Sequence, residues 1–153
     1  LQEFNINGLN KVEFYICTNI GETTKPLVKV ASGGEMSRLM LAIKSVFAKT
    51  DDVPVLVFDE IDTGISGKAA KAVGEKLKII SKVHQVICIT HLAPIAARGD
   101  YNYYISKNVR EEKTVTTIKQ LNEEETINEI ARIATGEVTE ISKQHAIELR
   151  KAS

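Results

Sequence analysis

Three short segments of the chain carry residue types that suit phosphate and magnesium chemistry. Residues 32–35 read Ser-Gly-Gly-Glu, residues 59–60 read Asp-Glu directly after an apolar run, and His91 follows a second apolar run. Glycine-rich turns at helix starts bind phosphate, carboxylates bind divalent cations, and carboxylate or imidazole groups orient water. The sequence therefore predicts a site at which a phosphate, a magnesium ion and a water meet.

The first segment stands at the start of a predicted helix and consists of Ser32, Gly33, Gly34 and Glu35. A helix N-terminus offers unpaired N–H groups and a partial positive charge, and glycines let the backbone approach an anion closely. The serine adds a hydroxyl donor. Alternatively, Ser32 and Glu35 form a capping box around a tight glycine turn, and a cap that orients the turn also orients its donors.

The second segment, Asp59 and Glu60, ends the apolar strand predicted over residues 55–58. In open parallel sheets, ligands bind at the carboxyl ends of the strands. We expect Asp59 to hold the water shell of a magnesium ion, and Glu60 to orient or deprotonate a water for attack on phosphorus. The alternative is a pair of exposed acids that open a loop.

A polar turn follows this pair and contains Asp62, Thr63, Gly64 and Ser66. One interpretation is that Ser66 or Thr63 caps the next helix. The other is that the turn lies across a dimer seam and passes nucleotide state between subunits. The sequence leaves both interpretations open.

The third segment places His91 after the strand predicted over residues 86–90, at the same sheet edge as Asp59 and Glu60. A neutral imidazole there either donates to a γ-phosphate oxygen or holds the attacking water. The alternative is a polar residue at an exposed strand end. The other two histidines, His84 and His145, are assigned no chemistry.

Two helices and two strands are predicted to position these segments. Apolar residues recur at helical spacing over residues 35–48 and 66–81, and each helix is followed by a short apolar strand. Strand, helix and strand of these lengths predict a right-handed βαβ crossover with parallel strands. Because neither strand alternates, we expect helices on both faces of the sheet.

The flanking regions predict further elements. These are a strand pair over 4–6 and 12–18, a loop before residue 27, a hairpin over 103–107 and 114–121, a helix from Asn122 to Gly136, and a helix over 141–151. The acidic residues 123–125 complement the dipole of the helix that Asn122 caps.

Composition bounds the class of protein. The 153 residues fit one domain over 1–153, and no apolar run approaches the ~20 residues of a membrane span. Twenty acidic and twenty basic residues cancel, so the domain has no basic footprint for nucleic acid. Cys17 and Cys88 lie in strand-like runs, where we expect both to be buried, as in a reducing cytoplasm. The chain opens on Leu1, from which we expect a fragment.

The wording of the three segments resembles the RecN family, the SMC-like ATPases of bacterial double-strand-break repair within the ABC-type superfamily. The residues that carry the resemblance are Ala-Ser-Gly-Gly-Glu-Met-Ser-Arg at 31–38, Asp-Glu-Ile-Asp-Thr-Gly-Ile-Ser-Gly at 59–67 and Ile-Thr-His-Leu-Ala-Pro at 89–94. They correspond to the signature, the Walker B motif with its D-loop, and the switch histidine. Residues 12–27, 129–132 and 145–149 fit the family as well.

The resemblance implies an α/β fold: the C-terminal lobe of an ABC/SMC-type ATPase head, P-loop NTPase-like, with a largely parallel sheet flanked by helices. The Gly-x-x-x-x-Gly-Lys-Ser/Thr segment, Walker A, does not occur in the chain. ATP and Mg²⁺ are the implied cofactors. Asp59 would support magnesium, Glu60 would be the catalytic base and His91 the switch. Residues 32–35 would contact the γ-phosphate of ATP held by another head, and Asp62 and Ser66 would belong to the D-loop.

The implied partners are an N-terminal Walker A lobe of the same protein, a second head in an ATP-sandwiched homodimer and, through the full-length protein, double-stranded DNA ends. The resemblance implies a cytoplasmic, nucleoid-associated protein with no membrane partner. We expect ATP hydrolysis by the full-length protein and none by the isolated fragment. The alternatives are a head lobe of another SMC-like or ABC ATPase, and a non-catalytic dimerisation module.

Overall fold

A computed structural model describes residues 6, 8–17, 21, 23–30, 32–48, 50–110 and 113–152. The chain divides into two compact units, Leu1–Ser32 and Gly33–Ser153, and each is described by itself. A single domain over residues 1–153 stays a prediction.

The first unit contains a short antiparallel strand pair. Strand β1 (Tyr15–Ile16) pairs with β2 (Lys25–Pro26), and helix α1 (Leu27–Val30) follows. The Leu27 N–H donates to the Phe14 carbonyl oxygen at 2.8 Å. The pairing predicted between 4–6 and 12–18 lies partly outside the described residues, and the observed partner of β1 comes from the predicted loop. A proline is compatible with pairing at the edge of a sheet, where its missing N–H faces away from the partner.

The second unit begins with the predicted βαβ crossover. Helix α2 (Gly33–Phe47) precedes strand β3 (Val55–Phe58), and helix α3 (Gly67–Ile80) connects it to strand β4 (Gln85–Cys88). The two strands are parallel and pair over their full length, from Val55 opposite Gln85 to Phe58 opposite Cys88. The parallel crossover predicted from the apolar runs is confirmed.

One face of this strand pair is covered and the other is not. Leu56 and Phe58 are buried in a cluster that takes Leu41 from α2 and Leu77 from α3, so both helices pack on the same side. On the opposite side the exposed apolar residues are Val55 (39%), Val57 (63%), Ile87 (47%) and Ile89 (48%). Within the described residues, the prediction of helices on both faces is therefore wrong.

The remaining elements are a hairpin and three helices, and the helices form a second core. These elements are α4 (Ala93–Ala96), β5 (Tyr103–Arg110), β6 (Lys113–Gln120), α5 (Glu123–Thr135) and α6 (Glu140–Lys151). The core consists of Ala93, Ala97, Ile130, Ala131 and Ala146. The predicted cap of α5 by Asn122 is confirmed and takes the form of a capping box with Glu125, and the helix ends at Gly136 in a left-handed conformation.

Mixed helices and strands confirm the α/β class, but a largely parallel sheet is not confirmed. The described strands form three separate two-stranded sheets, of which only β3–β4 is parallel. The β5–β6 hairpin and the β1–β2 pair are antiparallel. No helix within the described part of the chain is long and apolar enough to cross a membrane.

The two cysteines differ in environment, contrary to the prediction that both are buried. Cys17 is exposed, and Cys88 is half-buried at the end of β4. Burial, with added contributions from the charges of Asp62 and Asp59, raises the pKa of the Cys88 thiol to about 12. The predicted strand position of Cys88 is confirmed, whereas Cys17 lies just after β1 with its side chain exposed.

Candidate functional site

The turn that leaves β3 carries the predicted carboxylates in an unusual backbone conformation. Glu60 has a φ of +56°, and it is the only described residue other than glycine with a positive φ. The Glu60 N–H donates to Asp59 Oδ1 at 2.9 Å, and the Thr63 N–H donates to the Glu60 carbonyl oxygen at 3.0 Å. A left-handed conformation is costly for a residue with a Cβ and persists where the surroundings enforce it.

Helix α2 supplies much of that enforcement. The Ser37 hydroxyl donates to the Asp59 carbonyl oxygen at 2.7 Å. The Arg38 guanidinium, through Nη1, donates to the carbonyl oxygens of Ile61 at 3.1 Å and Thr63 at 2.8 Å. The two bonds from Arg38 hold the carbonyl groups of Ile61 and Thr63 to one guanidinium group. The helix that follows the signature turn therefore holds the turn that carries Glu60.

Sequence reasoning gave Ser37 and Arg38 no role, although both lie in the segment that carries the resemblance. Their only signal was their position directly after the signature turn. A hydroxyl and a guanidinium at consecutive helix positions read as ordinary surface residues. Their acceptors are backbone oxygens more than twenty positions away in the sequence, and no side-chain pattern marks such acceptors.

The two glycines of the signature turn lie directly against the Glu60 turn of the same chain. A Cβ added to Gly33 would stand 2.2 Å from Glu60 Oε2. A Cβ added to Gly34 would stand 2.8 Å from the Glu60 carbonyl oxygen and 3.0 Å from the Thr63 Cβ. The distances of 2.2 Å and 2.8 Å are shorter than a real Cβ contact allows, and the distance of 3.0 Å is tighter than most such contacts. In this structure, the group that approaches the two glycines closely is therefore the Glu60 turn of the same chain.

Asp62 points into the chain. Asp62 is 2% exposed. Its Oδ2 accepts hydrogen bonds from the Thr90 hydroxyl at 2.6 Å and from the His91 backbone N–H at 2.8 Å. The same oxygen lies 3.1 Å from His91 Nδ1. The Leu92 N–H in turn donates to Thr90 Oγ1 at 3.1 Å. The turn after β3 and the turn after β4 are therefore joined by one buried carboxylate.

The remaining predicted residues lie at the surface. The His91 side chain is 72% exposed, and Asp59 and Glu60 are exposed at the end of β3. Glu35 is exposed in the first turn of α2, and Ser32 is the exposed last residue of the first unit.

Ser66 precedes α3 with extended backbone, and its side chain makes no capping hydrogen bond. The reading in which Ser66 caps that helix through its hydroxyl is therefore wrong. The structure thus brings together Gly33, Gly34, Glu60, Asp62 and His91 through the contacts above, and Ser66 takes no part in those contacts.

The electrostatics at this edge favour a cation. Asp59 and Asp62 both oppose a negative charge on the Cys88 sulfur, and the same field attracts a positive ion. Asp59 uses Oδ1 to accept from the Glu60 N–H, which leaves its other oxygen for a further partner.

The donor set bears on which cation fits. In the described part of the chain, no group of three or more His, Cys, Asp or Glu side chains is placed to hold a metal by itself. One carboxylate combined with phosphate oxygens and waters is the ligand set typical of Mg²⁺, so Asp59 fits that ion.

Comparison with known proteins shows that the chain is similar to DNA repair proteins. No protein-family model matches it. The curated relatives are DNA repair proteins. A solved chain from work on "ATP-driven dimerization and DNA stimulated activation of SMC ATPases" is 28% identical, with a TM-score of 0.47 over 70% of this chain and 63% of that one. That structural likeness is too low to support an inference.

The two relatives compared below are both DNA repair protein RecN. The chain is 50% identical over 147 residues to DNA repair protein RecN of Halalkalibacterium halodurans, covering 95% of this chain and 26% of that protein. It is 50% identical over 145 residues to RecN of Bacillus subtilis, covering 94% and 25%. The chain thus spans about a quarter of the length of the curated relatives it matches, and it matches the C-terminal portion of RecN.

Proposed function

We propose that the chain is the C-terminal ATPase head lobe of a RecN-like DNA repair protein. The observation that carries this proposal is the joining of three motifs at one edge. Helix α2 grips the Asp59–Glu60 turn through Ser37 and Arg38, and Asp62 links that turn to His91. Identity of about one half to RecN over nearly the whole chain supports the same assignment.

Each residue of the edge has a role in this proposal. Asp59 would hold Mg²⁺, which supplies charge neutralisation to phosphate oxygens when bound. Glu60 orients or deprotonates the attacking water, and its exposed carboxylate is accessible to it. His91 contacts that water or the terminal phosphate. The signature turn, Ser32 to Glu35, contributes backbone and hydroxyl donors to the γ-phosphate of ATP on a second head.

The uncovered face of β3–β4 supports a further part of the proposal. Val55, Val57, Ile87 and Ile89 form an exposed apolar surface on strands whose other side is fully packed. Contiguous apolar surfaces of this kind mark interaction sites. We assign this face to the N-terminal lobe that carries Walker A, since the chain itself lacks that segment.

The whole protein would act as an ATP-sandwiched homodimer of heads. Binding of ATP would hold two heads together through the signature turns, and hydrolysis would release them and change how the protein holds double-stranded DNA ends. The chain's balanced charge gives it no overall attraction to DNA, so DNA contact would be local on this lobe or would be made by other parts of the protein. This work takes place in the cytoplasm, at the nucleoid. Without Walker A, the isolated chain should not turn over ATP.

The decisive test is ATP turnover by the full-length protein, with and without linear duplex DNA. Glu60→Gln removes the base while keeping the size of the side chain. Turnover should fall at least a hundredfold while the ATP-bound dimer accumulates in size-exclusion chromatography. The matched control is Glu124→Gln, an exposed acid on α5 far along the chain. Unchanged turnover and dimerisation in Glu60→Gln would instead support a non-catalytic dimerisation module.

A second test addresses the lobe contact. The chain is mixed with a separately expressed N-terminal lobe, and complex formation and turnover are measured. Val57→Lys, in the middle of the uncovered face, should abolish both. Ile141→Lys serves as the control, because Ile141 is 85% exposed on α6, outside that face. Equal complex formation by both variants would remove the face from the proposal.

A further inference from the structure

The buried carboxylate of Asp62 has a more specific task than membership of a turn. A carboxylate removed from water is costly unless hydrogen-bond donors replace the water. For Asp62, two hydrogen bonds reach the same oxygen, Oδ2: one from the Thr90 hydroxyl and one from the His91 backbone N–H. The ring nitrogen Nδ1 of His91 lies within ion-pair distance of that oxygen. A buried carboxylate, that of Asp62, therefore lies at the point where the chain leaves β4 and where His91 is located.

The geometry acts on both the backbone and the ring of His91. The backbone N–H donates to Oδ2 at 2.8 Å, and the ring nitrogen Nδ1 lies 3.1 Å from the same atom. Two points of attachment on one residue fix the direction in which its ring leaves the strand. An ionised carboxylate repels a nitrogen lone pair and attracts an N–H, so its position 3.1 Å from Nδ1 favours the ring form that carries the proton on Nδ1.

We propose that Asp62 is a positioning residue that holds His91 in the tautomer protonated on Nδ1, with Nε2 directed away from the carboxylate. The proposal rests on the proposed function for its catalytic meaning, although the tautomer itself is a property of this chain. The role differs from the one that the resemblance implied for Asp62, which was a D-loop contact near the nucleotide. Because the side chain is 2% exposed and bonded within the chain, it cannot reach a ligand on another subunit without leaving these bonds.

The tautomer decides between the two uses of His91 that the sequence left open. A neutral imidazole has one N–H, and when Nδ1 carries it, Nε2 has a lone pair and accepts a hydrogen bond. An accepting Nε2 suits a water molecule, which donates to it, and does not suit a phosphate oxygen, which has no proton to donate. In the neutral ring, His91 therefore holds the attacking water. It donates to a phosphate only after a second proton arrives.

The experiment observes the ring directly. The chain is labelled with ¹⁵N-histidine, and long-range ¹H–¹⁵N spectra at pH 8.5 report which nitrogen of each neutral ring carries the proton. Loss of one signal set in His91→Gln assigns the residue. We expect His91 to be predominantly the Nδ1–H tautomer, the reverse of the Nε2–H preference of free histidine. A predominant Nε2–H form in the unaltered chain would overturn the proposal outright.

Variants separate positioning from simple structural support. Asp62→Ala should return His91 to the Nε2–H form, and Asp62→Asn, which retains an accepting oxygen, should give an intermediate fraction. Thr90→Val is the matched control, since it removes one bond to Oδ2 but leaves the contact to His91. It should lower thermal stability without changing the tautomer. If Thr90→Val shifts the tautomer as much as Asp62→Ala, Asp62 supports the loop and does not position the ring.

The catalytic arm uses the full-length protein. Asp62→Asn should lower kcat for ATP about tenfold and leave KM nearly unchanged, because the ring acts on the water and not on nucleotide affinity. A changed KM with unchanged kcat would overturn the positioning role. If the full-length protein turns over no ATP at all, the proposed function fails, whereas the tautomer result still stands or falls by itself.

Discussion

The carboxylate of Glu60 lies against the α-carbon of Gly33, in the space that any larger residue at position 33 would fill. The contact joins the end of β3 to the first residue of α2 within one chain. A negative group there is favoured by the partial positive charge of the helix N-terminus. If a second head presents a phosphate to this turn, as the proposed function requires, the phosphate would meet this carboxylate at the start of α2.

The two signature glycines should respond differently to substitution. Gly34→Ala places a Cβ 2.8 Å from a backbone oxygen of the Glu60 turn, which cannot move without disturbing Arg38. We expect a loss of about 1–3 kcal/mol in the free energy of unfolding, measured by urea denaturation. Gly33→Ala meets only the mobile end of the Glu60 side chain and should cost clearly less. Equal losses in the two variants would contradict this difference.

The Glu60→Gly variant should have a higher free energy of unfolding than the Glu60→Ala variant. Its φ of +56° costs a residue with a Cβ about 1 kcal/mol relative to glycine. Glu60→Gly should therefore raise the free energy of unfolding relative to Glu60→Ala by about that amount. Both lack the carboxylate, so both should abolish ATP turnover in the full-length protein. If the alanine variant is as stable as the glycine variant, the turn carries no strain at this position.

The thiol of Cys88 should resist alkylation in the folded chain. With a pKa of about 12, only about one molecule in ten thousand carries the reactive thiolate at pH 8. Iodoacetamide at pH 8, followed by peptide mass spectrometry, should modify exposed Cys17 long before Cys88. Asp62→Ala removes one of the two negative charges and should speed the reaction of Cys88. Equal rates for Cys17 and Cys88 in the folded chain would contradict the assigned environment.

The ion pair of Lys44 and Asp51 should contribute stability that depends on pH. The hydrogen bond from Lys44, helped by that from the Val53 N–H, lowers the pKa of Asp51 in the folded chain. A lowered folded pKa means that the contribution is present above the unfolded pKa and is lost as the pH falls through the folded one. Asp51→Asn should therefore destabilise the chain more at pH 7 than at pH 2.5.

The control for that comparison is Asp52→Asn, at the exposed neighbouring position. Urea denaturation of the three proteins at both pH values gives the result. If Asp51→Asn lowers the free energy of unfolding by the same amount at pH 2.5 as at pH 7, Asp51 acts through packing and not through its charge.

Patterns that depend on neighbouring residues were readable in the sequence. Apolar runs and helical spacing predicted α2, β3, α3 and β4 to within a few residues, and the capping box at Asn122 follows from local residue types. Helix α4 was missed because four residues are too few for a helical period. Its Pro94 marks a helix start only when the helix is already suspected.

Features that depend on hydrogen-bond donors far along the sequence, or on a covering layer outside the described residues, could not be predicted from the sequence. Burial of Asp62 requires the donors at positions 90 and 91, and an aspartate in a polar turn otherwise reads as exposed. The positive φ of Glu60 comes from the turn geometry that Arg38 holds, and glutamate has no preference for it. Apolar runs in β3 and β4 indicate that both faces avoid water, but they do not say whether the covering layer belongs to the same chain.

The hydrogen bonds from Arg38 to the turn after β3 have an evolutionary consequence. Both of its acceptors are carbonyl oxygens, and every amino acid provides one. The exposed side chain at position 63 can therefore vary among descendants of this sequence without loosening the turn, while position 61 is constrained separately by its complete burial in the core. The constraint falls on position 38, because both bonds come from one side-chain nitrogen, Nη1 of Arg38, and a side chain without a donor at that point loses both at once.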